Sequence, residues 1–375
     1  MPTDESLIHV FGSLLGDEEL AEISDCIDRQ WIGMGPKTAQ LESRLAQHLD
    51  VDELVLLNSG SSGLQMAVHL LDIPPGTGAE IIVPSFTWVA CASAILLAGH
   101  RPVFCDVDKT TLNIDPESVA GAITPRTAAI MAVHYAGLPA EVPRLKEFGL
   151  PVIEDAAHAI DSRHEGRACG TLGDIGVFSF DSIKNLAMGE GGGLVARNPE
   201  HLRRARDLRL CGVTSTGFAS AREGGRWWEH RITDAFPKMT PSDLCAAVGL
   251  AQFRRLRSSQ QRRAKLWALY QQALAELDWL AVPPEPDAGD RHSYFTYCVQ
   301  VRDGRRDALA NHLLERGIYT TLRFHPLHLS PLYGSSVELP VSERLAETAL
   351  NLPLHPRLTD DDLDRVIGAV CEFAG

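Results

Sequence analysis

The stretch GVFSFDSIKNLAMGEGGGL, residues 176–194, sets a single lysine between an apolar run and a cluster of glycines. The run GVFSF is short, apolar and partly aromatic, which is typical of a buried strand. Lys184 follows it after a brief polar segment. Such a lysine is either an exposed loop residue or a partly desolvated amine. Desolvation lowers the pKa of an amine and can make it a nucleophile or a base.

Upstream of this stretch, short apolar runs alternate with segments of helical periodicity. The runs are ELVLLNSG (53–60), AEIIVPSF (79–86), RPVFCDVD (101–108), TAAIMAVHYAG (127–137) and LPVIEDAAHA (150–159). Apolar strands that alternate with helices predict an α/β fold, in which a mostly parallel sheet is sandwiched by helices on both faces.

The C-terminal part of the chain has a different pattern. A helical pattern runs from Ser242 to Leu277 and is followed by a proline-containing linker. Beyond the linker we predict two strands, at 293–301 and 318–324, and two helices, around 305–316 and 359–374. A chain of 375 residues is long enough for two linked domains. We therefore expect a large domain of residues 1–255 and a smaller C-terminal α+β domain of residues 256–375.

Composition and charge limit the kind of partner. The formal net charge is −14, so we expect neither nucleic acid nor an anionic membrane as the main partner, because binding phosphate groups requires a basic surface. The N-terminus lacks the features of an export signal, and the longest apolar stretches are too short to span a bilayer. The eight cysteines include no C-x-x-C pair and are expected to be reduced. We therefore expect a cytoplasmic protein.

Polar residues follow three of the predicted strands. The carboxyl ends of parallel strands meet at one edge of the sheet, where ligands bind. NSGSSG (58–63) leads into a helix, whose N-terminal N–H groups can bind a phosphate; the alternative is a capped turn without a ligand. Glu154 and Asp155 end a buried strand, where a carboxylate is costly unless it meets a cation or hydrogen-bond donors. The alternative is a structural ion pair or a helix cap.

Together, these residues match the requirements of pyridoxal 5′-phosphate (PLP). The cradle would bind the phosphate, the carboxylate would keep the pyridine nitrogen protonated, and Lys184 would form the covalent link. PSFTW (84–88) adds Phe86 and Trp88 as aromatic residues that could stack on the ring, although core packing explains them equally well. The glycines after Lys184 do not complete a dinucleotide-binding motif.

The chain resembles the DegT/DnrJ/EryC1/StrS family of PLP-dependent sugar aminotransferases, whose large domain has the type I aspartate aminotransferase fold. The resemblance covers nearly the whole chain. It rests mainly on EDAAH (154–158) and FSFDSIKNLAMGEGG (178–192), which together and in this order are highly specific. Further matching segments are WIGMGPKTAQLE (31–42), NSGSSGLQMAV (58–68), DLCAAVGLAQF (243–253) and LNLPLHP (350–356).

The resemblance implies roles for individual residues. Lys184 corresponds to the lysine that binds PLP covalently, and Asp155 to the partner of the pyridine nitrogen. His158 corresponds to the residue beside the phenolic oxygen, and Trp88 to the aromatic residue that stacks on the ring. The implied phosphate-binding residues are Gly60, Ser61 and Ser179.

One segment departs from the family pattern. Many members carry GYNYRM or GYKYNM before the long helix, and an asparagine there reaches the phosphate bound by the partner subunit. Here the segment reads DAFPKM (234–239), so Phe236 and Lys238 occupy the two asparagine positions. Lys238 is a candidate replacement as a cationic, cofactor-binding residue. The alternative is that this segment faces the substrate.

The irregular loop 212–241 is rich in cations and contains two tryptophans. We predict that it contacts an anionic substrate; the alternative is that it only covers a dimer seam. The candidate substrate residues are Arg226, Arg231 and His325. His325 and His328 also have an H-x-x-H spacing, but no third ligand lies nearby, so no metal site is predicted.

The implied function is an aminotransferase that moves an amino group from an amino acid, glutamate or glutamine, to a keto sugar linked to a nucleotide. A keto-cyclitol is the alternative ketone. The implied assembly is a homodimer with the active site at the interface.

Three other functions fit less well. A dehydratase of the family has histidine in place of Lys184, a regulatory PLP-binding protein would be expected to carry a DNA-binding segment, and GSSG is not the G-x-S-x-G of a serine hydrolase.

Overall fold

The computed structural model describes residues 7–74, 76–214 and 228–373. Within these ranges the strands are β1 Val55–Leu57, β2 Glu80–Pro84, β3 Arg101–Cys105, β4 Thr127–Val133, β5 Val152–Asp155, β6 Arg163–His164, β7 Arg167–Ala168, β8 Ile175–Ser179, β9 Gly192–Ala196, β10 Leu280–Ala281, β11 Tyr297–Val301 and β12 Ala349–Leu352. The α-helices are α1 Asp17–Asp28, α2 Pro36–Leu49, α3 Gly60–Leu70, α4 Val89–Leu97, α5 Pro116–Ala122, α6 Val142–Lys146, α7 Pro199–Arg209, α8 Asp243–Leu274, α9 Arg306–Glu315, α10 Pro340–Thr348 and α11 Asp360–Cys371.

The central sheet has seven strands in the order β1-β9-β8-β5-β4-β2-β3. Strands β3, β2, β4, β5 and β8 pair in parallel, whereas β9 is antiparallel to both of its neighbours. Parallel strands need crossover connections, which the helical segments between the apolar runs provide. The predicted mostly parallel α/β sheet is therefore confirmed.

Helices cover both faces of this sheet. On one face α2, α5, α6 and α8 bury apolar side chains against the strands, and on the other face α3, α4 and α7 do so. Strand β2 contributes to both cores, because side chains alternate across a strand. Ile82 belongs to the first core, and Ile81 and Val83 belong to the second. Burial on both faces explains why the strands are apolar without alternation.

Helix α8 takes part in two hydrophobic cores. It begins after Ser242, whose hydroxyl caps the helix by accepting a hydrogen bond from a backbone N–H at 3.2 Å. Leu250 and Leu256 pack in a core of the large sheet, whereas Trp267 and Tyr270 are buried in the core of a smaller sheet. This change of core along one helix supports a domain boundary near residue 255, which we propose.

The smaller sheet is antiparallel, in the order β10-β11-β12, and α9 and α11 pack against it. The strand predicted at 293–301 begins only at Tyr297. The strand predicted at 318–324 is wrong, because this segment makes only isolated bridges to Ile8 and Asn351. The third strand is β12 instead. Residues 321–324 line a cavity, so the segment does not extend into a ladder.

The N-terminal segment, residues 8–11, lies on the smaller domain. The backbone N–H of Tyr319 donates to the carbonyl of Ile8 at 2.9 Å, and the N–H of Leu354 donates to the carbonyl of Val10 at 3.2 Å. Ile8 is also part of the core of the smaller sheet. Residues 8–11 are therefore held by hydrogen bonds to Tyr319 and Leu354, which lie more than 300 positions later in the sequence.

In the described part of the chain, no helix is both long enough and apolar enough to cross a membrane. All eight cysteines lie within the described ranges, and none of them forms a disulfide there.

Candidate active site

A cavity of about 330 Å³ lies where the carboxyl ends of β1, β2, β5 and β8 meet residues 321–324 of the smaller domain. This is the edge at which α/β sheets bind ligands. The structure brings together seven of the predicted site residues in the cavity lining, namely Gly60, Ser61, Trp88, Asp155, His158, Ser179 and Lys184.

The amine of Lys184 is surrounded by protein, although its side chain is partly accessible from the cavity. The Nζ atom lies 4.7 Å from the centroid of the Phe295 ring. Burial lowers the pKa of Lys184 to about 8, because the ammonium group loses its water; Asp155 opposes this shift and Arg323 adds to it. Under mildly alkaline conditions, Lys184 is therefore a neutral amine in a substantial fraction of the protein molecules.

Asp155 is the last residue of β5 and reaches the cavity with a side chain whose two oxygens both accept hydrogen bonds. The thiol of Cys91 donates to Oδ2 at 3.1 Å, and the backbone N–H of Ala157 donates to Oδ1 at 3.0 Å. Burial, together with the charge of Asp155, raises the pKa of the Cys91 thiol, so the thiol remains a donor. These two bonds hold the carboxylate in one orientation toward the cavity.

Glu154, the preceding residue, points to the opposite face of the sheet. Its Oε2 accepts hydrogen bonds from Nε2 of His134 and from the backbone N–H of Gly170, both at 2.8 Å, and its Oε1 accepts one from Gly173 at 2.6 Å. The Nδ1 of His134 accepts a backbone N–H from Ala140 at 3.0 Å, so the ring donates through Nε2. Glu154 is thus part of a fully buried structural network.

His158 is stacked between aromatic rings beside Lys184. Its ring lies 4.0 Å from that of Phe295, with an interplanar angle of 15°. Burial lowers the pKa of His158 well below its usual value, and the positive charges of Lys184 and Arg323 lower it further. The Nδ1 atom is buried and has no hydrogen-bond partner among the described residues. A neutral imidazole is therefore available to a polar atom of a ligand.

The N-terminus of α3 forms the opposite wall. Ser59 caps the helix by accepting a hydrogen bond from the N–H of Ser62 at 3.1 Å. A Cβ atom on Gly60 would lie 2.8 Å from the Cβ of Ser179, so glycine is needed for this close approach of α3 to β8. Ser61 and Ser179 line the cavity beside the helix N-terminus. N–H groups and hydroxyls in this arrangement suit a phosphate.

The residues of the cavity fit PLP. The α3 cradle suits its phosphate, Asp155 its pyridine nitrogen, Lys184 its carbonyl carbon, and the unpaired nitrogen of His158 its ring oxygen. Trp88 is 56% exposed, and its ring centroid lies 5.6 Å from that of Phe324 at the cavity wall, which leaves a face available to a bound ring. Phe86, in contrast, is buried in a core.

Three other predicted residues do not line this cavity. Lys238, Arg231 and His325 are exposed and lie outside its wall in this chain. Arg226 is outside the described residues. Phe236 packs on the ring of His69, with 4.8 Å between the ring centroids. The roles proposed for these residues therefore stay predictions.

The second histidine of the H-x-x-H pair, His328, has a structural role. The hydroxyl of Ser85 lies 2.6 Å from its Nδ1, and Glu343 lies 3.3 Å from its Nε2. These contacts hold the segment after residue 324 against the end of β2. Among the described residues, no group of three His, Cys, Asp or Glu side chains is arranged to hold a metal ion.

The sequence analysis missed Cys91, Arg323 and Phe295. Cys91 lies near the start of α4, three residues after Trp88, so its closeness in sequence to a predicted site residue was the available signal. Arg323 lies in the segment that was predicted as a strand, and Phe295 lies in the residues before β11. No pattern in the sequence distinguishes these two side chains from their neighbours.

Comparisons with known proteins agree with this geometry. The sequence model of the DegT/DnrJ/EryC1/StrS aminotransferase family matches residues 14–371. A relative from Saccharopolyspora spinosa, dTDP-4-dehydro-2,3,6-trideoxy-D-glucose 4-aminotransferase, is 41% identical over 367 residues, which cover 96% of this chain and 95% of the relative.

The chain is also similar to solved structures of aminotransferases. The aminotransferase TlmJ from Streptoalloteichus hindustanus is 41% identical, with a TM-score of 0.91 and coverage of 97% of this chain and 98% of that chain. The PLP-form of Spr1654 from Streptococcus pneumoniae is 27% identical, with a TM-score of 0.89 and coverage of 97% of both chains.

Proposed function

The chain belongs to the DegT/DnrJ/EryC1/StrS aminotransferase family, and we propose that it transfers an amino group from glutamate or glutamine to a keto sugar linked to a nucleotide. Its cofactor is pyridoxal 5′-phosphate. The observation that carries the proposal is the Lys184 amine, with a pKa of about 8, in one cavity with Asp155 and a phosphate cradle. We propose these residues and Trp88, His158, Gly60, Ser61 and Ser179 as the cofactor site.

The chemistry assigns each residue a task. PLP, when bound, supplies a ring that withdraws electrons from the carbon that carries the amino group. Lys184, as a neutral amine, moves a proton between the Cα atom of the donor and the C4′ atom of the cofactor, first as base and then as acid. Asp155 keeps a proton on the pyridine nitrogen and so stabilises negative charge that develops near the ring. Cys91 and Ala157 hold that carboxylate in place.

A nucleotide-linked ketone is proposed because the S. spinosa relative is named for a dTDP-linked dehydro sugar. The diphosphate of such a substrate would require cations, and the loop 212–241 carries several. We propose that Arg226 and Arg231 contact it, and that Lys238 contacts the cofactor phosphate. Since Arg231 and Lys238 lie outside the cavity of their own chain, they would act at the cavity of a partner subunit. His325 follows the cavity-lining Phe324 and would contact the sugar at the rim.

We propose a homodimer with the active site at the interface. A group of large apolar side chains from the N-terminal part of the chain is 40–67% exposed, namely Leu14, Leu15, Leu20, Ile27, Trp31 and Ile32. Further exposed apolar side chains lie on α4 and just before it, namely Trp88, Val89, Leu96 and Leu97. Large apolar patches of this kind are typical of surfaces that are covered by a partner.

The class of ketone that accepts the amino group is tested with the pyridoxamine form of the protein, which is prepared by reaction with glutamate. This form is mixed with keto-sugar nucleotides and keto-cyclitols, and the return of the PLP absorbance is recorded. We expect the absorbance to return with at least one keto-sugar nucleotide. A return with keto-cyclitols alone would favour the alternative ketone. If glutamate itself causes no change in the spectrum, the protein is better described as a PLP-binding protein without turnover.

A further inference from the structure

Asn185, the residue after Lys184, ties the backbone of the reactive lysine to the smaller domain. Its side-chain Nδ2 donates hydrogen bonds to the carbonyl of Ser293 at 2.7 Å and to Oε1 of Gln260, on α8, at 3.1 Å. The Nε2 of Gln260 donates to the same carbonyl at 3.0 Å. All three residues are buried, and we call Asn185, Gln260 and Ser293 the junction network.

Ser293 extends the junction network to His158. Its hydroxyl donates a hydrogen bond to the backbone carbonyl of His158. Gly137 makes this contact possible, because a Cβ atom there would lie 2.7 Å from that carbonyl oxygen and would also meet the hydroxyl. Two residues of the cavity, Lys184 and His158, are thus held through one buried serine.

The segment that carries Ser293 also carries Phe295, whose ring contacts both cavity residues. The ring stacks on that of His158 with 4.0 Å between centroids, and its centroid lies 4.7 Å from Nζ of Lys184. The carbonyl of Phe295 accepts a hydrogen bond from the buried guanidinium of Arg263 at 3.2 Å. The junction network and this bond therefore fix an aromatic surface beside the amine as well as the backbone of the lysine.

The amide of Asn185 is not the side chain that stability alone would favour. Its Oδ1 atom is buried and has no hydrogen-bond partner among the described residues. An unpaired buried oxygen is unfavourable, whereas leucine would fill a similar volume without a polar atom. Directional polar contacts, in contrast, permit only one arrangement of the parts that they join. The amide therefore specifies one geometry beside Lys184 at a cost in stability.

The reaction depends on that geometry. While a donor amino acid is attached to the cofactor, Lys184 is not, and its long side chain has many rotamers available. Its amine must nevertheless reach the Cα atom of the donor and the C4′ atom of the cofactor to move the proton. A displacement of about 1 Å can slow such a step by about 10²-fold. A fixed backbone and the Phe295 ring reduce the positions that the amine can occupy.

We propose that Asn185, Gln260 and Ser293 are positioning residues that hold the amine of Lys184 in place for proton transfer. None of the three lines the cavity as the structure describes it, so we expect them to affect the rate of this step and not the affinity for the substrate. This inference rests on the proposed function. It gives the junction between the two domains a part in the chemistry in addition to its part in the fold.

The first test follows the capture of PLP by the cofactor-free protein, so no amino donor or ketone is needed. In Asn185→Leu and Gln260→Ala the amine can reach water more easily, so the midpoint of the pH dependence should rise above the wild-type midpoint of about 8. The rate at the plateau should fall about tenfold.

Gln271→Ala is the matched control for Gln260→Ala. Gln271 lies on the same helix and donates a hydrogen bond at 2.7 Å to a carbonyl of the smaller domain, that of Pro283, and neither residue lines the described cavity. This variant should keep the wild-type midpoint and rate of PLP capture.

The second test uses the holoenzyme and glutamate. Stopped-flow absorbance gives the limiting rate and the apparent Kd of the donor half-reaction. In Asn185→Leu and Gln260→Ala the limiting rate should fall about 10- to 100-fold, while Kd changes less than about threefold. Deuterium at Cα of glutamate should slow the variants more than the wild type, because proton transfer then limits the rate more strongly. Asn185→Leu should unfold at a denaturant concentration close to that of the wild type, which separates the loss of rate from a loss of stability.

The outcomes separate this inference from the proposed function. A wild-type midpoint and a wild-type limiting rate in both variants would overturn the inference and leave the network a structural part of the domain junction. Weaker affinity for glutamate at an unchanged limiting rate would also overturn it. If the variants react slowly with glutamate but the wild type aminates no keto sugar, the inference holds and the proposed ketone is wrong. If the wild type captures PLP but does not react with glutamate, the proposed function is wrong, and the midpoint and rate of capture alone support or overturn the positioning of Lys184.

Discussion

Glu154 and Asp155 are consecutive residues of β5, and their carboxylates lie on opposite faces of the central sheet. Asp155 accepts hydrogen bonds from Cys91 and Ala157 at the cavity, whereas Glu154 accepts them from His134 and two glycine N–H groups in the interior. One carboxylate therefore faces the cavity, whereas the other belongs to a buried hydrogen-bond network. The two positions form a matched pair for substitution.

Asp155→Asn should bind PLP but lose turnover by roughly 10²- to 10³-fold, the usual effect of removing one preorganised electrostatic group. A neutral amide cannot keep the proton on the pyridine nitrogen. The measurements are kcat and the absorbance of the bound cofactor. Near-wild-type kcat would remove Asp155 from the mechanism.

Glu154→Gln is the control for that substitution. It should reduce the free energy of unfolding by about 1–3 kcal/mol, because buried donors lose a charged acceptor. Denaturant unfolding measures this loss, and the cofactor spectrum should stay unchanged. A changed spectrum would mean that the two carboxylates are not functionally separate.

Borohydride reduction of the purified yellow protein should attach the cofactor to Lys184. Lys184 is the one lysine among the residues that line the described cavity, and burial lowers the pKa of its amine to about 8. Peptide mass mapping after reduction locates the added mass. Cofactor found on another lysine would refute the assignment, and Lys184→Ala should show no attachment.

The capture of PLP by the cofactor-free protein should depend on pH with a midpoint of about 8, the pKa of Lys184. Below that pH the amine is protonated and cannot attack, so the rate should rise about tenfold per unit and then level off. Arg323→Gln should move the midpoint upward, since the positive charge of Arg323 lowers this pKa. A rate that continues to rise to the pKa of an ordinary lysine, about 10.4, would contradict a desolvated amine.

Arg231→Ala should raise KM for the ketone much more than KM for the amino donor. The reason is that the exposed Arg231 belongs to the cation-rich loop proposed to contact a diphosphate. Affinity for the ketone should also fall with added salt, since exposed charge pairs are screened. Steady-state kinetics with each substrate varied in turn checks this, with Arg344→Ala as a surface control. Equal effects on both half-reactions would show that the loop does not bind the ketone.

Activity should require a dimer. Trp31 and Ile32 are 51% and 53% exposed in the single chain, and burial of such side chains is the expected driving force. Ile32→Glu should raise the dimer dissociation constant, and activity should fall with the dimer fraction. Sedimentation at low protein concentration, combined with activity at the same concentrations, tests this. A fully active monomer would refute it.

The sequence predicted the mostly parallel central sheet well because its signals are local. Apolar runs, helical periodicity and polar residues at strand ends all follow from short stretches of chain, and the residues they place on one sheet edge meet in the cavity. The lysine stretch at 176–194 is an example, since it runs from β8 through the loop of residues 180–191 into β9.

The smaller domain was predicted less well, because its arrangement depends on distant contacts. Residues 318–324 have the composition of a strand, yet they bond to Ile8 and Asn351 at single points and then turn into the cavity. Arg323 could not be distinguished from a strand residue, since its aromatic partners Phe11 and Phe295 come from remote parts of the sequence. Only the folded chain brings them together.

The attachment of residues 8–11 to the smaller domain has a consequence for synthesis on the ribosome. These residues emerge roughly 300 residues before the groups that bind them, at Tyr319 and Leu354. At the usual rate of translation that interval lasts roughly 20–70 s, during which Phe11 has no native partner. The nascent chain can form its large sheet once residue 196 has emerged, whereas the wall of the cavity that contains Arg323 is completed only after residues 321–324 follow. A ribosome-bound chain therefore holds an assembled sheet and an unfinished catalytic centre.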